Sequence, residues 1–169
     1  MSVASISGYL DQMAADIAAL QALVSPVTLT TYQIQGSTNH VDNTLVTLIP
    51  TTGTITPARG TYVLSGVVKF QTSDNTTILV SSQVSVNRAG TTIETVSEQA
   101  GTTPRESIVF SIDVTFDGTQ TLQVIGTADT QGVGVATYDI IGAGGPSGNN
   151  YSSYVQLLKI SSNYQPAQP

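Results

Sequence analysis

With 169 residues the chain can hold one domain with a real core plus an appendage. It has no cysteine, which excludes disulfides, thiol catalysis and thiolate metal sites. Charged residues make up only 9%, the net charge is −6, and the five basic residues stand singly at Arg59, Lys69, Arg88, Arg105 and Lys159. Nucleic acids and anionic membranes call for clustered cations, so neither is an expected partner.

The first element is an apolar repeat. Val3, Ile6, Leu10, Met13, Ile17, Leu20 and Val24 recur in alternating steps of three and four, the a and d positions of a heptad. They predict an oligomerisation and attachment helix over residues 1–26, a rod of roughly 35 Å. A lone helix of that size is marginal in water, so its stripe needs a partner surface. Asp11 and Asp16 are its only charges, and Ala14, Ala15, Ala18, Ala19 and Ala22 cover much of the remaining face. A neutral outer face suits a helix that is itself enclosed by another protein. The other reading is an ordinary amphipathic helix packed on its own domain. Ser25-Pro26 ends the helix, since proline removes a donor and disfavours helix in the residue before it. No signal peptide is read here, because the first basic residue is Arg59 and Asp16 interrupts the apolar stretch. No apolar run is long enough to span a bilayer.

From residue 28 the pattern changes to strands. Candidates are 28–35, 43–49, 60–70, 78–86, 91–98, 107–116, 119–127, 133–141 and 152–161. Gly60 to Phe70 is apolar at nearly every position, as in a strand covered on both faces. Ile78, Val80, Ser82, Val84 and Val86 alternate with Leu79, Ser81, Gln83 and Ser85, which predicts one buried and one wetter face. Ile108, Phe110, Ile112, Val114 and Phe116 alternate with Ser107, Val109, Ser111, Asp113 and Thr115 in the same way. Thr52-Gly53, Ala89-Gly90, Asp117-Gly118 and the run from Gly142 to Gly148 supply turns. Short strands at this spacing, with no helices between them, predict an all-β jelly-roll sandwich over 27–161. Residues 162–169, with Pro166 and Pro169, read as an extended tail or an arm lying on a neighbour.

Candidate chemistry is sparse. His40, the single histidine, lies in the polar stretch Ser37 to Asn43 and reads as a solvated loop residue, not a general base. Asp113 and Asp117 are four residues apart across an Asp-Gly turn and lack the oxygen-dense loop of a calcium site. Asp129 and Asp139 read as solvated, and a cation held by copies of one Asp on an oligomer axis is a further idea. The glycine-rich run has no following lysine or helix, and Pro146 interrupts its amides, so no phosphate site is read there. Tyr138, Tyr151 and Tyr154 flank that run, with Tyr164 beyond, and offer a candidate glycan-binding surface; the plainer reading is rim packing. No catalytic, cofactor or metal residues are predicted.

The strand segments resemble a known head. Gly60-Thr61-Tyr62-Val63-Leu64-Ser65-Gly66 is similar to the third-strand pattern of the C1q/TNF-like jelly roll, and Val84 to Thr91 to its following hairpin. Ser107 to Gly118 with Thr119 to Val124, and the closing Tyr151 to Ile160, are similar to later strands of that fold. The resemblance implies a homotrimer with jelly rolls packed around a threefold axis. In place of the collagen-like or signalling segments of animal members stands the heptad repeat, which reads as a short trimeric coiled coil. With the Thr/Ser/Gly-rich, cysteine-free composition, the whole resembles trimeric bacteriophage virion proteins. That implies a non-enzymatic capsid decoration, cement protein or knob on the virion surface, assembled in the host cytoplasm and docked on capsid or tail proteins. The alternative is a receptor-binding fibre head that recognises a bacterial surface glycan.

Overall fold

The computed structural model describes residues 8, 11–17, 27–74, 76–132, 134–143 and 153–162. Residues 11–17 are helical, and Gln12 Nε2 donates to Asp16 Oδ1 at 2.8 Å across one turn. Ten strands follow: β1 (Thr28–Gln33), β2 (Ser37–Val41), β3 (Val46–Ile49), β4 (Gly60–Thr72), β5 (Ile78–Arg88), β6 (Thr91–Thr103), β7 (Arg105–Phe116), β8 (Leu122–Gln131), β9 (Thr137–Ile141) and β10 (Tyr154–Ser161). They form a jelly-roll sandwich of two antiparallel sheets.

Sheet I is organised around β4. Along one edge β4 pairs with β7 from Gly60↔Phe116 to Gln71↔Arg105. Along the other it pairs first with β10 and then with β9, and these carry β1 and β2 in turn. Sheet II has the order β3-β8-β5-β6. The chain crosses between the sheets at Pro104, where β6 of sheet II runs into β7 of sheet I, and the Thr72 amide donates to the Pro104 carbonyl. Leu64, Val68, Phe70, Ile108, Phe116, Leu122 and Val124 are fully or almost fully buried between the layers. Such a core, burying about 25 cal/mol for each Å² of apolar surface, dominates the stability of the sandwich.

The alternation of β7 holds, with Ile108, Phe110, Val114 and Phe116 buried and Val109 exposed. In β5 the expected inner face is corrected. A register irregularity between Leu79 and Ser81 breaks the alternation, so Leu79 is fully buried while Ile78 and Val80 are half-buried. Ser82, Val84 and Val86 then face inward as expected. A second correction concerns residues 37–41, which are strand β2 and not loop: Ser37, His40 and Val41 pair with Ile140, Tyr138 and Thr137 of β9. The turns lie where glycine permits them. Ala89 and Gly90 both have positive φ, as a two-residue hairpin requires, and Gly118 does too. Asp117 Oδ1 accepts bonds from the Thr119 amide, the Thr119 hydroxyl and the Gln120 amide, so it is a turn residue.

Candidate assembly surface

The two outer faces differ in chemistry. Residues directly opposite in an antiparallel sheet share a face, so the register reads each face off the chain. On sheet II, Ser81, Gln83, Ser85 and Asn87 of β5 stand beside Ser97 and Thr95 of β6 and Thr127 and Gln123 of β8. Ser85 and Thr95 hydroxyls are 3.3 Å apart, and Gln123 Nε2 donates to Thr47 Oγ1 at 3.2 Å. Ile125 is the apolar exception and Asp129, opposite Ser81, the charged one on a face otherwise built of hydroxyls and amides.

Sheet I carries a different set. Leu29 of β1, Leu158 of β10 and Val63 of β4 form one row across three strands. Four residues along, Gln33, Tyr154, Val67 and Val109 form another, crossing from β1 through β10 and β4 to β7. Between them lie Thr31, Gln156, Ser65 and Ser111, and Gln156 Nε2 donates to Thr31 Oγ1 at 3.3 Å. The part of this face formed by β1, β10 and β4 up to Val67 holds no charged residue; Asp113 and Lys69 lie at its margins. Leu29 is 57% exposed and Val109 69%, while Val63, Val67, Tyr154 and Leu158 are half-buried. The sequence of β4 suits a strand covered on both faces, and the folded chain covers one.

The described members of the helical repeat, Met13 and Ile17, are 43% and 50% exposed, and all of residues 11–17 face solvent. This part of the helix is therefore not packed on its own sandwich. Val3, Ile6, Leu10, Leu20 and Val24 lie outside the described residues.

The tyrosine surface is corrected. Tyr138 is fully buried, edged by Phe70 at 6.1 Å and His40 at 5.4 Å, and its hydroxyl donates to the Thr44 carbonyl. Burial and a buried partner for the phenol explain why it faces inward. Tyr154 is half-buried on the outer face of sheet I, and Tyr151 lies outside the described residues. Sequence reasoning missed Leu29, Val63, Val67, Val109 and Leu158, whose common signal is an apolar residue on the polar phase of an alternating strand.

His40 is half-buried on β2, with Nε2 2.7 Å from Ser37 Oγ. Burial lowers its pKa, while the nearby Asp139 charge acts in the opposite direction. Asp139 Oδ1 is already engaged by the Asn39 amide at 2.8 Å and the Ser73 hydroxyl at 2.6 Å. The Ser37 and His40 pair thus fastens β2 over Tyr138. Among the described residues no group of three or more His, Cys, Asp or Glu is arranged to hold a metal, and no helix is long and apolar enough to cross a membrane.

No family model matches the chain, and no curated protein matches it. Solved structures do. The Eiger TNF of S. frugiperda superimposes with a TM-score of 0.50 at 10% identity, over 86% of this chain and 99% of that one. A CBM36-1 domain of a multidomain xylanase from the hindgut metagenome of Trinervitermes trinervoides gives a TM-score of 0.39 at 16% identity, over 77% and 96% of the two chains. A chain of the infectious bursal disease virus Gt strain gives 0.38 at 14% identity, and the match covers 83% of this chain and 39% of the viral one. At such identities the likeness to the TNF structure is one of fold: the chain has the jelly roll of that head.

Proposed function

We propose that the chain is a non-enzymatic structural protein that assembles as a homotrimer and decorates a virion surface, as a capsid decoration, cement protein or knob. The observation that carries this reading is the contrast between the outer faces of the sheets. A face of hydroxyls and amides is at home in water, whereas rows of Leu29, Leu158 and Val63 and of Tyr154, Val67 and Val109 gain by being covered. A second copy of the same chain is a natural cover, because the uncharged face sets no like charges against each other when it meets a copy.

The exposed Met13 and Ile17 extend the argument to the helix, whose repeat of period 3.5 supports a short coiled coil with its copies. Threefold order and the virion setting rest on the resemblance of the strands and composition to trimeric phage heads. Docking on capsid or tail proteins would then gain from matching symmetry and avidity. Light scattering with size exclusion on the whole chain and on a chain beginning at Val27 tests the reading. A trimer is expected for the whole chain, and the shorter form shows whether the helix or the jelly roll holds it. A clean monomer of the whole chain would overturn the proposal.

A further inference from the structure

At the β1 edge of sheet I, Pro57 and Ala58 of the β3 to β4 loop lie beside inward-facing residues of β1, β10 and β4. The result is a cleft of about 300 Å³ lined by Thr28, Thr30, Tyr32, Tyr62, Lys159 and Ser162 together with Leu157. That volume is at the lower end of what small-ligand pockets occupy.

Its polar groups are held in place by the fold. The Tyr62 hydroxyl donates to the Ala58 carbonyl at 2.6 Å, which pins the loop, and the Tyr62 ring packs edge-on against Phe116 at 5.7 Å. Lys159 pairs with Tyr62 in the β10 to β4 ladder, and its Nζ lies 6.0 Å from the centroid of the Tyr62 ring. Its stem passes Gly60 so closely that a Cβ there would lie 2.8 Å from Lys159 Cε. A side chain at 60 would meet the Ser161 carbonyl oxygen even more closely than the Lys159 stem, so glycine lets both pass, and Lys159 lines the cleft. Among the described residues no carboxylate lines the cleft, although the chain carries eleven acidic residues and five basic ones. Burial raises the pKa of Tyr32 and that of Tyr62, so both phenols stay protonated as neutral hydroxyls at neutral pH.

We infer that this cleft binds an acidic saccharide, a sugar residue carrying a carboxylate, through Lys159 and the hydroxyls and rings around it. Among the described lining residues the ammonium has no acidic partner, which a ligand carboxylate supplies as a charge-assisted bond. The half-buried Tyr32 ring offers an apolar face to sugar C–H groups, and the exposed Thr28 and Thr30 hydroxyls both donate and accept, as sugar hydroxyls require. This site is separate from the outer face of sheet I and does not depend on the assembly reading.

The test titrates the full chain with trigalacturonate and with galactotriose, its neutral counterpart, by calorimetry, and follows the backbone amides by NMR. Trigalacturonate is expected to bind, to shift the Thr30 and Ser162 amides, and to weaken with added salt. Galactotriose on the native chain, and trigalacturonate on Lys159→Gln, are each expected to bind roughly tenfold or more weakly, the scale of one charge-assisted bond. The inference is overturned by absence of trigalacturonate binding, by equal affinity for the two sugars, or by shifts confined to residues away from the cleft. The amide shifts need no variant, so misfolding of Lys159→Gln would leave the test decisive. The oligomeric state, measured on the same sample, reports on the assembly reading independently.

Discussion

Ser82 of β5 and Glu106 of β7 meet across the interior, with the Ser82 hydroxyl 2.5 Å from Glu106 Oε2. They come from different sheets, close to where the chain crosses at Pro104, so this hydrogen bond ties the two layers beside the crossing. Ser82 is almost completely buried, and without Glu106 its hydroxyl would be left inside an apolar layer.

Ser82→Ala removes the donor and leaves the half-buried carboxylate to water. Bonds to charged groups are worth about 1.5 to 3 kcal/mol in buried settings, and partial exposure brings the expected loss down to about 1 kcal/mol. Urea unfolding checks this through the midpoint, with the slope unchanged. An unshifted midpoint would mean that water already shares the carboxylate.

Gly66 marks a second constraint. A Cβ there would sit 2.7 Å from the Tyr154 carbonyl oxygen and 2.9 Å from the Phe110 ring, so Gly66→Ala overpacks a filled core. The expected cost is about 1 to 3 kcal/mol. Combining it with Phe110→Leu should cost less than the sum of the two single changes, because the smaller side chain relieves half of the clash. Strict additivity in denaturant titrations would count against the contact.

Much of this interior was legible along the chain. In β7 the inner residues alternate without interruption, so period and burial agree. In β5 they do not, because the irregularity after Leu79 moves the buried face by one residue, and nothing local to Ile78 or Val80 signals it. Strand β2 is polar, and it becomes a strand only through pairing with β9, about a hundred residues away. The assembly face was hidden for the same reason. Leu29, Val63 and Leu158 are far apart in sequence and become one row only when the register is known. Tyr138 looked like a surface aromatic beside a glycine-rich loop, and its partner, the Thr44 carbonyl, is equally distant.

Acid should weaken the fold in two windows. His40 is the chain's one histidine, and burial lowers its folded pKa below the ordinary 6.5 despite the opposing Asp139 charge. The folded chain then binds fewer protons than the unfolded chain just below pH 6.5. Stability therefore falls as pH drops through that value and levels off below the folded pKa. His40→Gln should abolish this first step in thermal melts between pH 7.5 and 5. The second window belongs to Asp74 and Asp117, whose pKa values are lowered chiefly by amide donors, from Thr76 and Thr119 respectively. Their contribution is present above the ordinary 3.8 and is lost as pH falls through their folded values. A melt profile with no inflection near pH 6 would remove the burial of His40 from the account.

The sharpest discrimination between the two outer faces comes from placing the same charge on each. Leu158→Lys puts an ammonium among Leu29, Val63 and the uncharged rows of sheet I, whereas Gln83→Lys puts it among the hydroxyls of sheet II. Both positions are half-buried on outer faces, so neither change opens the core and the folded head should survive in each. If copies cover sheet I, Leu158→Lys sets like charges into a desolvated contact in every subunit, and burying an unpaired charge costs several kcal/mol. The expected outcome is loss or marked weakening of the trimer for Leu158→Lys and native assembly for Gln83→Lys, read by sedimentation velocity over a dilution series. Equal assembly by both variants would move the contact off sheet I and leave the helical repeat to hold the copies together. Loss in the Gln83 variant alone would assign the interface to the opposite face.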